Sequence, residues 1–244
     1  MKPSLSNNEI KRIKSLSQKK FRDEYSLFVA EGEKIVDEAL RSGYEIEAVY
    51  RREEIGEDRM SRISQLSSPS PVLAVIRKPA QEQIQIPSKG LFLGLDSLRD
   101  PGNLGTVIRI ADWFGINAIF ASYDTVDVFN PKVVQSTMGA IFRVRFHYCD
   151  LESVCKGFME AGGRVYGTFL DGKDIYSCNL ETGLDCPVMA VMGNESEGIS
   201  DRISKIVSDR LFIPPYPADE PGSESLNVSV ATAVTVAEFR RRIR

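Results

Sequence analysis

Five polar side chains between residues 103 and 227 of this 244-residue chain can share one reactive site: Asn103, Arg109, Glu195, Ser225 and Asn227. They fall in three separated blocks. The first, residues 95–115, reads LDSLRDPGNLGTVIRIADWFG. Pro101 and Gly102 set a turn, Asn103 suits a helix N-cap, and Arg109 rides on the helix that follows. A helix N-terminus beside Gly102 and Gly105 offers N–H groups to an anion, and a guanidinium there can clamp a phosphate. The second block, residues 188–200, runs a strand into Gly193, where backbone can approach a ligand closely. Asn194 and Glu195 follow at a turn before a short helix. Glu195 can pair with Arg109 or accept from a ligand hydroxyl. The third block, residues 211–234, leads Ser225, Asn227 and Ser229 into a helix. Their side chains can cap backbone N–H groups, and those of Ser225 and Asn227 can also hold a ribose or a catalytic water. Taken singly, each block is equally well read as a capped helix or turn.

Other chemistries fit less well. There is no GxxxxGK[ST] phosphate loop and no GxGxxG after a strand. His147 is the single histidine, which argues against a His-based triad or a His-rich metal site; its place beside 144–146 predicts a strand-end residue. The four cysteines, Cys149, Cys155, Cys178 and Cys186, form no CxxC pair and read as reduced, mostly buried thiols rather than a zinc site. Asp96 and Asp100 flank a turn and read as solvated loop residues. No metal is expected.

Elements that could position the three blocks follow from periodicity. Apolar spacing predicts helices over 9–20, 32–42 and 53–66 and strands over 46–50 and 72–76, a small α/β unit. Residues 78–89, KPAQEQIQIPSK, read as a linker. After it, strands at 91–95, 118–121, 144–146, 165–170, 188–192 and 211–213 alternate with helices at 103–114, 131–139, 152–161 and 228–242. That rhythm predicts a mostly parallel sheet covered on both faces, with ligands at the carboxyl ends of its strands. All three blocks fall just after predicted strands. The domains expected are 1–87 and 88–244.

The net charge of −3 does not advertise a nucleic-acid binder, but its distribution is uneven. Residues 1–22 hold seven basic residues against the single acid Glu9, among them Lys2, Lys11, Arg12, Lys14, Lys19, Lys20 and Arg22. Arg240, Arg241, Arg242 and Arg244 end the chain. Such clusters can neutralise RNA phosphates, or simply solvate a helix face. No apolar run approaches a membrane span and the first residues are too polar for a secretory signal, so a cytoplasmic protein is expected.

In order and spacing together, the three blocks resemble the motifs of the SpoU (TrmH) family of RNA ribose methyltransferases. Asn103 with Arg109 six residues on matches the first motif. Gly193, Asn194, Glu195 and Gly198 match the second, and Ile213, Pro214 and Ser225–Ser229 the third. The resemblance covers residues 90–244. Residues 1–78, with Glu31–Lys34 (EGEK), resemble the small α/β RNA substrate-binding domain that precedes the catalytic part in many members.

The resemblance implies a C-terminal trefoil-knotted, mostly parallel α/β domain, although knots are very rare in general. It implies a homodimer with the site near the interface, and S-adenosylmethionine held by backbone around Thr168, Gly193, Ile213 and Leu226. The reaction implied is methyl transfer to a ribose 2′-hydroxyl of rRNA or tRNA; two domains and a basic leading helix favour structured rRNA. Family members are proposed to use the residue matching Arg109 on that hydroxyl, but arginine stays protonated. A phosphate clamp that stabilises the developing alkoxide is the simpler role. Asn103, Glu195, Ser225 and Asn227 would orient it and the ribose. A catalytically silent RNA-binding module and an unrelated nucleotide-binding α/β protein are the alternatives. The loop PPYPADEPGSE between Ile213 and Ser225 is longer than usual, stiffened by proline and acidic through Asp219, Glu220 and Glu224.

Overall fold

Runs of β-branched and aliphatic residues bounded by turn formers recur along the chain, and each becomes a short strand. The computed structural model describes residues 5–80, 83–217 and 225–243. In chain order its elements begin with α1 (Asn7–Ser15), α2 (Lys19–Tyr25), β1 (Leu27–Glu31), α3 (Glu33–Arg41) and β2 (Ile46–Arg51). Then come α4 (Arg52–Ile55), α5 (Glu57–Ile63), β3 (Val72–Arg77), β4 (Gly90–Leu95) and α6 (Pro101–Trp113). They continue with β5 (Ile119–Ser122), α7 (Pro131–Thr137), β6 (Phe146–Cys149), α8 (Leu151–Glu160) and β7 (Arg164–Asp174). The last are β8 (Pro187–Met192), α9 (Asp201–Ser204), β9 (Asp209–Phe212) and α10 (Val228–Arg241). No helix among the described residues is long and apolar enough to cross a membrane.

The chain divides into two units, residues 1–81 with 127–143, and residues 82–126 with 144–244. Segment 127–143 thus groups with the first unit although it follows β5 in sequence. In the first unit three antiparallel strands run in the order β1-β3-β2. Sequence periodicity gave no strand at 27–31, because every side chain of β1 is buried and no alternation is visible. Leu27 and Val29 pack with Ile10, Ile13, Leu16, Met60 and Ile63, while the Phe28 ring lies 4.7 Å from that of Phe129. The helix expected over 9–20 is two helices, α1 and α2, and that over 53–66 breaks at Gly56.

The second unit holds six strands in the order β6-β5-β4-β8-β7-β9, all paired in parallel. From β4 the chain builds outward through β5 to β6, then fills the other side. Strand order therefore reverses between β4 and β8, and such a switch point opens a crevice at the carboxyl edge. The strand expected at 144–146 lies two residues on, as β6, with Phe146 opposite Ile119. His147 is inside β6, its ring stacked 5.6 Å from Phe120. All four cysteines are free. Burial pushes the Cys149 and Cys155 thiols up to about 12, so neither is a ready nucleophile.

Helix α10 packs on α6 and closes this unit. Near its end the buried Glu238 accepts from Arg241 at 2.7 and 2.8 Å and from Arg242 at 2.7 Å. The Arg241 hydrogen bond, then that of Arg242, holds the Glu238 carboxyl at about 2, against a usual 4.5. A depressed carboxylate stabilises the fold above its unfolded value and loses that contribution as pH falls through the folded one. Glu238→Gln should therefore melt lower than wild type at pH 7, with the gap in Tm closing between pH 4.5 and 2. A gap that stays constant in melts across that range would contradict the pairing.

Candidate functional site

The first block turns out of β4 at the switch point. Asp100, and not Asn103, is the N-cap of α6: its Oδ1 accepts from the Asn103 N–H at 2.7 Å. Pro101 explains the shift, since proline suits the first helical position, where its missing N–H costs nothing. Asn103 is thereby moved into the first turn with its carboxamide free for other partners.

Those partners come from the other two blocks. Asn103 Nδ2 donates to Glu195 Oε1 at 3.0 Å. Asn103 Oδ1 accepts from Asn227 Nδ2 and from Ser229 Oγ, both at 3.0 Å. Glu195 further accepts from the backbone N–H groups of Asp100 at 3.2 Å and Arg99 at 3.4 Å. A carboxylate that satisfies the lead-in to a helix is favoured there by the helix dipole as well. Asn227 is the N-cap of α10, accepting from Ser229 N at 2.9 Å. One carboxamide thus ties the carboxyl end of β4, the turn after β8 and the start of α10.

The turn after β8 is itself tightly built. Asn194 and Gly198 exchange both backbone hydrogen bonds, at 2.8 and 3.0 Å, and Gly198 adopts φ +70°, a region that favours glycine. Asn194 Nδ2 donates to Ser97 O at 2.8 Å, which fixes the β4 loop to the β8 turn. A Cβ on Gly193 would lie 2.2 Å from Gly198 C and 2.3 Å from Ile199 N. Gly193→Ala should therefore displace the turn that holds Glu195. We expect at least tenfold weaker S-adenosylmethionine binding, about 1.4 kcal/mol. Calorimetric titration checks this, and unchanged affinity would show that the turn tolerates the methyl group.

Arg109 stands apart from this cluster. It is exposed on α6, six residues or about 9 Å beyond Asn103. Its guanidinium makes no hydrogen bond or ion pair with any described residue, so the pairing with Glu195 allowed by the sequence does not form. Trp113, one turn further along α6, is 82 % exposed. Ser225 is exposed, adjoining the undescribed residues 218–224, and outside the hydrogen-bonded cluster. Asp219, Glu220 and Glu224 of the acidic loop lie outside the described residues, as do Lys2 and Arg244. Ser229 is a cluster member that the sequence reading treated only as a helix cap; its place two residues after Asn227 was the available signal.

Gly193 and Ile213 directly follow β8 and β9, and Thr168 lies within the neighbouring β7, one residue past the end of its ladder with β8. Strand β7 leaves its ladder with β9 after Thr168, which pairs with Leu211, and rejoins it at Lys173, so residues 169–172 stand out of register at that edge. Leu226 is exposed next to Asn227. Adjacent strand ends at a break in the sheet suit a flat heterocycle held by backbone groups. Among the described residues no group of three His, Cys, Asp or Glu could hold a metal ion.

The basic segment is less free than its composition suggests. Arg22 is buried; Nε and Nη2 donate to Asp127 Oδ2 at 3.0 and 2.6 Å, and Nη1 to the carbonyls of Leu16 and Ser17. It closes the C-terminal end of α1, and this burial runs against the phosphate contact expected from charge clustering. Arg12 pairs with Glu47, Lys19 with Asp23, and Lys14 donates to Ser64 O. Lys11 is exposed, and Lys20 lies 5.7 Å from the Phe21 ring.

A parallel sheet with a polar cluster at its switch point, beside the ends of β8 and β9, is the arrangement in which α/β folds as a class take ligands at the carboxyl edge. The profile of the SpoU rRNA Methylase family matches residues 90–237, and that of the MRM3-like substrate binding domain residues 7–82. The chain belongs to the SpoU rRNA methylase family. It is 31 % identical to the 23S rRNA (guanosine(2553)-2′-O)-methyltransferase RlmP of Bacillus subtilis, over 97 % of this chain and 98 % of that one. A solved TrmH-family structure from Porphyromonas gingivalis is 37 % identical, with TM-score 0.87, covering 98 % of this chain and 99 % of the other. The AdoMet-bound rRNA methyltransferase of Sinorhizobium meliloti is 30 % identical, with TM-score 0.86, covering 99 % and 97 %.

Proposed function

We propose that the chain transfers a methyl group from S-adenosylmethionine to a ribose 2′-hydroxyl of structured RNA, with ribosomal RNA as the substrate. The observation that carries this reading is the Asn103 carboxamide joined to Glu195, Asn227 and Ser229, which assembles all three family blocks at one strand edge. The likeness to RlmP over nearly the whole of both chains supports ribosomal RNA. The AdoMet-bound neighbour supports the cofactor.

Backbone at Thr168, Gly193 and Ile213, with Leu226 beside it, would hold the cofactor, which supplies an already activated methyl group. The chain then has to align the ribose oxygen and manage its proton. The Arg109 guanidinium, without a partner among the described residues, clamps the phosphate next to that ribose, stabilising the alkoxide as it forms. Asn103, Glu195 and Asn227 hold the loop geometry, and Ser225 stands at the rim. Lys11 and Lys20, with Arg12, Lys14 and Lys19 exchanging weak surface partners for phosphates, serve as the RNA contact of residues 1–87. Residues 88–244 form the catalytic domain.

The same surface supports a homodimer. Arg109 and the exposed Trp113 share a face of α6, and Val230 is exposed on α10, which packs beside it. A second copy on this face would cover Trp113 and bring Arg109 to a shared site. The chain's return from the β9 edge of the sheet to α10 against α6 fits the trefoil path of the family. The bacterial RlmP relative supports the cytoplasm as its location. Methyl transfer from labelled S-adenosylmethionine tests the reading: incorporation into unmodified ribosomal RNA, above that into transfer RNA, is expected. Cofactor and RNA binding with no transfer to either would leave the catalytically silent module as the reading.

A further inference from the structure

A second cleft opens at the carboxyl edge of the same sheet, on the far side of the β4 loop from the Asn103 cluster. It has a volume of about 560 Å³ and is bounded by residues that follow β4, β5 and β6, together with Ser200 and Arg202. Its floor is Asp96, Ser122 and Cys149, all buried. Asp96 Oδ2 accepts from Ser200 N at 2.7 Å, and Ser97 Oγ donates to Asp124 at 2.5 Å. Asp150 accepts from Ser153 Oγ at 2.6 Å. Each carboxylate is thereby fixed in place with accepting capacity to spare. The Ser122 and Ser97 hydroxyls hold the Asp124 carboxyl below the usual range, so it stays an acceptor at neutral pH. The Ser200 hydroxyl is buried against the cleft with no hydrogen-bond partner among the described residues. At the rim the Tyr123 ring is 72 % exposed, beside the exposed Arg202.

This lining selects among ligands. Three carboxylates repel a phosphate from the interior and leave Arg202 as the one cation of the lining. They do not form a metal site among the described residues. A planar ring with hydrogen-bond donors on one edge fits each feature: Tyr123 for stacking, Asp124 for the donors, Ser200 for a further polar atom, and Arg202 for a phosphate left outside. Unpaired RNA bases are recognised in this way, by stacking on aromatic rings and hydrogen bonding along the Watson–Crick edge. Guanine presents two adjacent donors, N1–H and the 2-amino group, that can meet one carboxylate together. Adenine and cytosine each set an amino group beside an acceptor, and uracil sets one N–H between two acceptors.

We propose that this cleft takes an unstacked guanine of the RNA substrate, stacked on Tyr123 and held by Asp124, with its phosphate at Arg202. The β4 loop is the wall shared with the reactive cluster, through Ser97 O to Asn194 and Asp96 to Ser200. The inference rests on the proposal of RNA as substrate. It makes the guanine a recognition element within a nucleotide or so of the methylated ribose.

The test uses the full chain, labelled with nitrogen-15 and titrated with GMP, IMP, AMP, CMP and UMP. GMP is expected to shift the amides of Tyr123, Asp124 and Arg202 and to bind more tightly than IMP, which lacks the 2-amino group. Tyr123→Ala and Asp124→Asn should each weaken GMP binding about tenfold. S-adenosylmethionine affinity should be unchanged in both variants. In methyl transfer to ribosomal RNA both should raise KM with little change in kcat. No shift at these amides with any nucleotide, or GMP binding unaffected by both substitutions, would overturn the proposal. Transfer by both variants at wild-type kcat/KM would overturn it while leaving the methyltransferase reading intact. GMP binding at the cleft in a protein that methylates no RNA would uphold the cleft and sink that reading.

Discussion

Arg109→Ala is expected to lower kcat for methyl transfer by about 10²–10³-fold, the usual loss when one preorganised stabiliser of developing charge is removed. The basis is the isolation of the guanidinium. It is exposed and makes no hydrogen bond or ion pair with any described residue, so the fold has no structural use for it. The melting temperature should accordingly stay within a degree or so of wild type, since surface changes away from special features are usually within about 0.5 kcal/mol. S-adenosylmethionine binding should also survive, because Thr168, Gly193 and Ile213 lie on other elements. Arg109→Lys keeps the charge and loses the planar fork, and should fall between the two. A kcat–pH profile of that variant decides the role. A near-wild-type rate at neutral pH would contradict the requirement for a guanidinium.

Arg22→Met should cost the first unit about 3–5 kcal/mol, the range found when one partner of a buried ion pair is removed. Asp127 would be left largely buried beside an apolar side chain, and the carbonyls of Leu16 and Ser17 would lose their donor. Amide exchange in β1, β2 and β3 reads this opening free energy directly. The same variant separates two roles. As a structural residue, Arg22 leaves the salt dependence of RNA binding unchanged under conditions where the variant is folded. As a phosphate contact, its loss would reduce the slope by about one. A stability change under about 1 kcal/mol together with a reduced slope would restore Arg22 to the RNA surface.

These two arginines show how far sequence reached. Both were picked out by residue type, yet one is free and the other is buried. Charge clustering cannot tell them apart, because the partner of Arg22 lies 105 residues away at Asp127. The parallel sheet was legible from strands alternating with helices. Strand β1 was not, since burial on both faces erases the alternation that marks a strand. Spacing in the three blocks marked Asn103, Glu195 and Asn227, which the structure brings together. It could not reveal that Asp100 takes the helix cap and so releases the Asn103 side chain to join them. Ser229 was visible as a cap and became a cluster member only through a contact 126 residues distant.

The central claim is the position of the transferred methyl group. Ribosomal RNA from cells lacking this gene, incubated with the purified protein and S-adenosylmethionine, can be digested to nucleosides and resolved by mass spectrometry. One new 2′-O-methylated nucleoside is expected, absent when Arg109→Ala replaces the wild-type protein. A methyl group on a base, or an equal yield of product from Arg109→Ala, would contradict it.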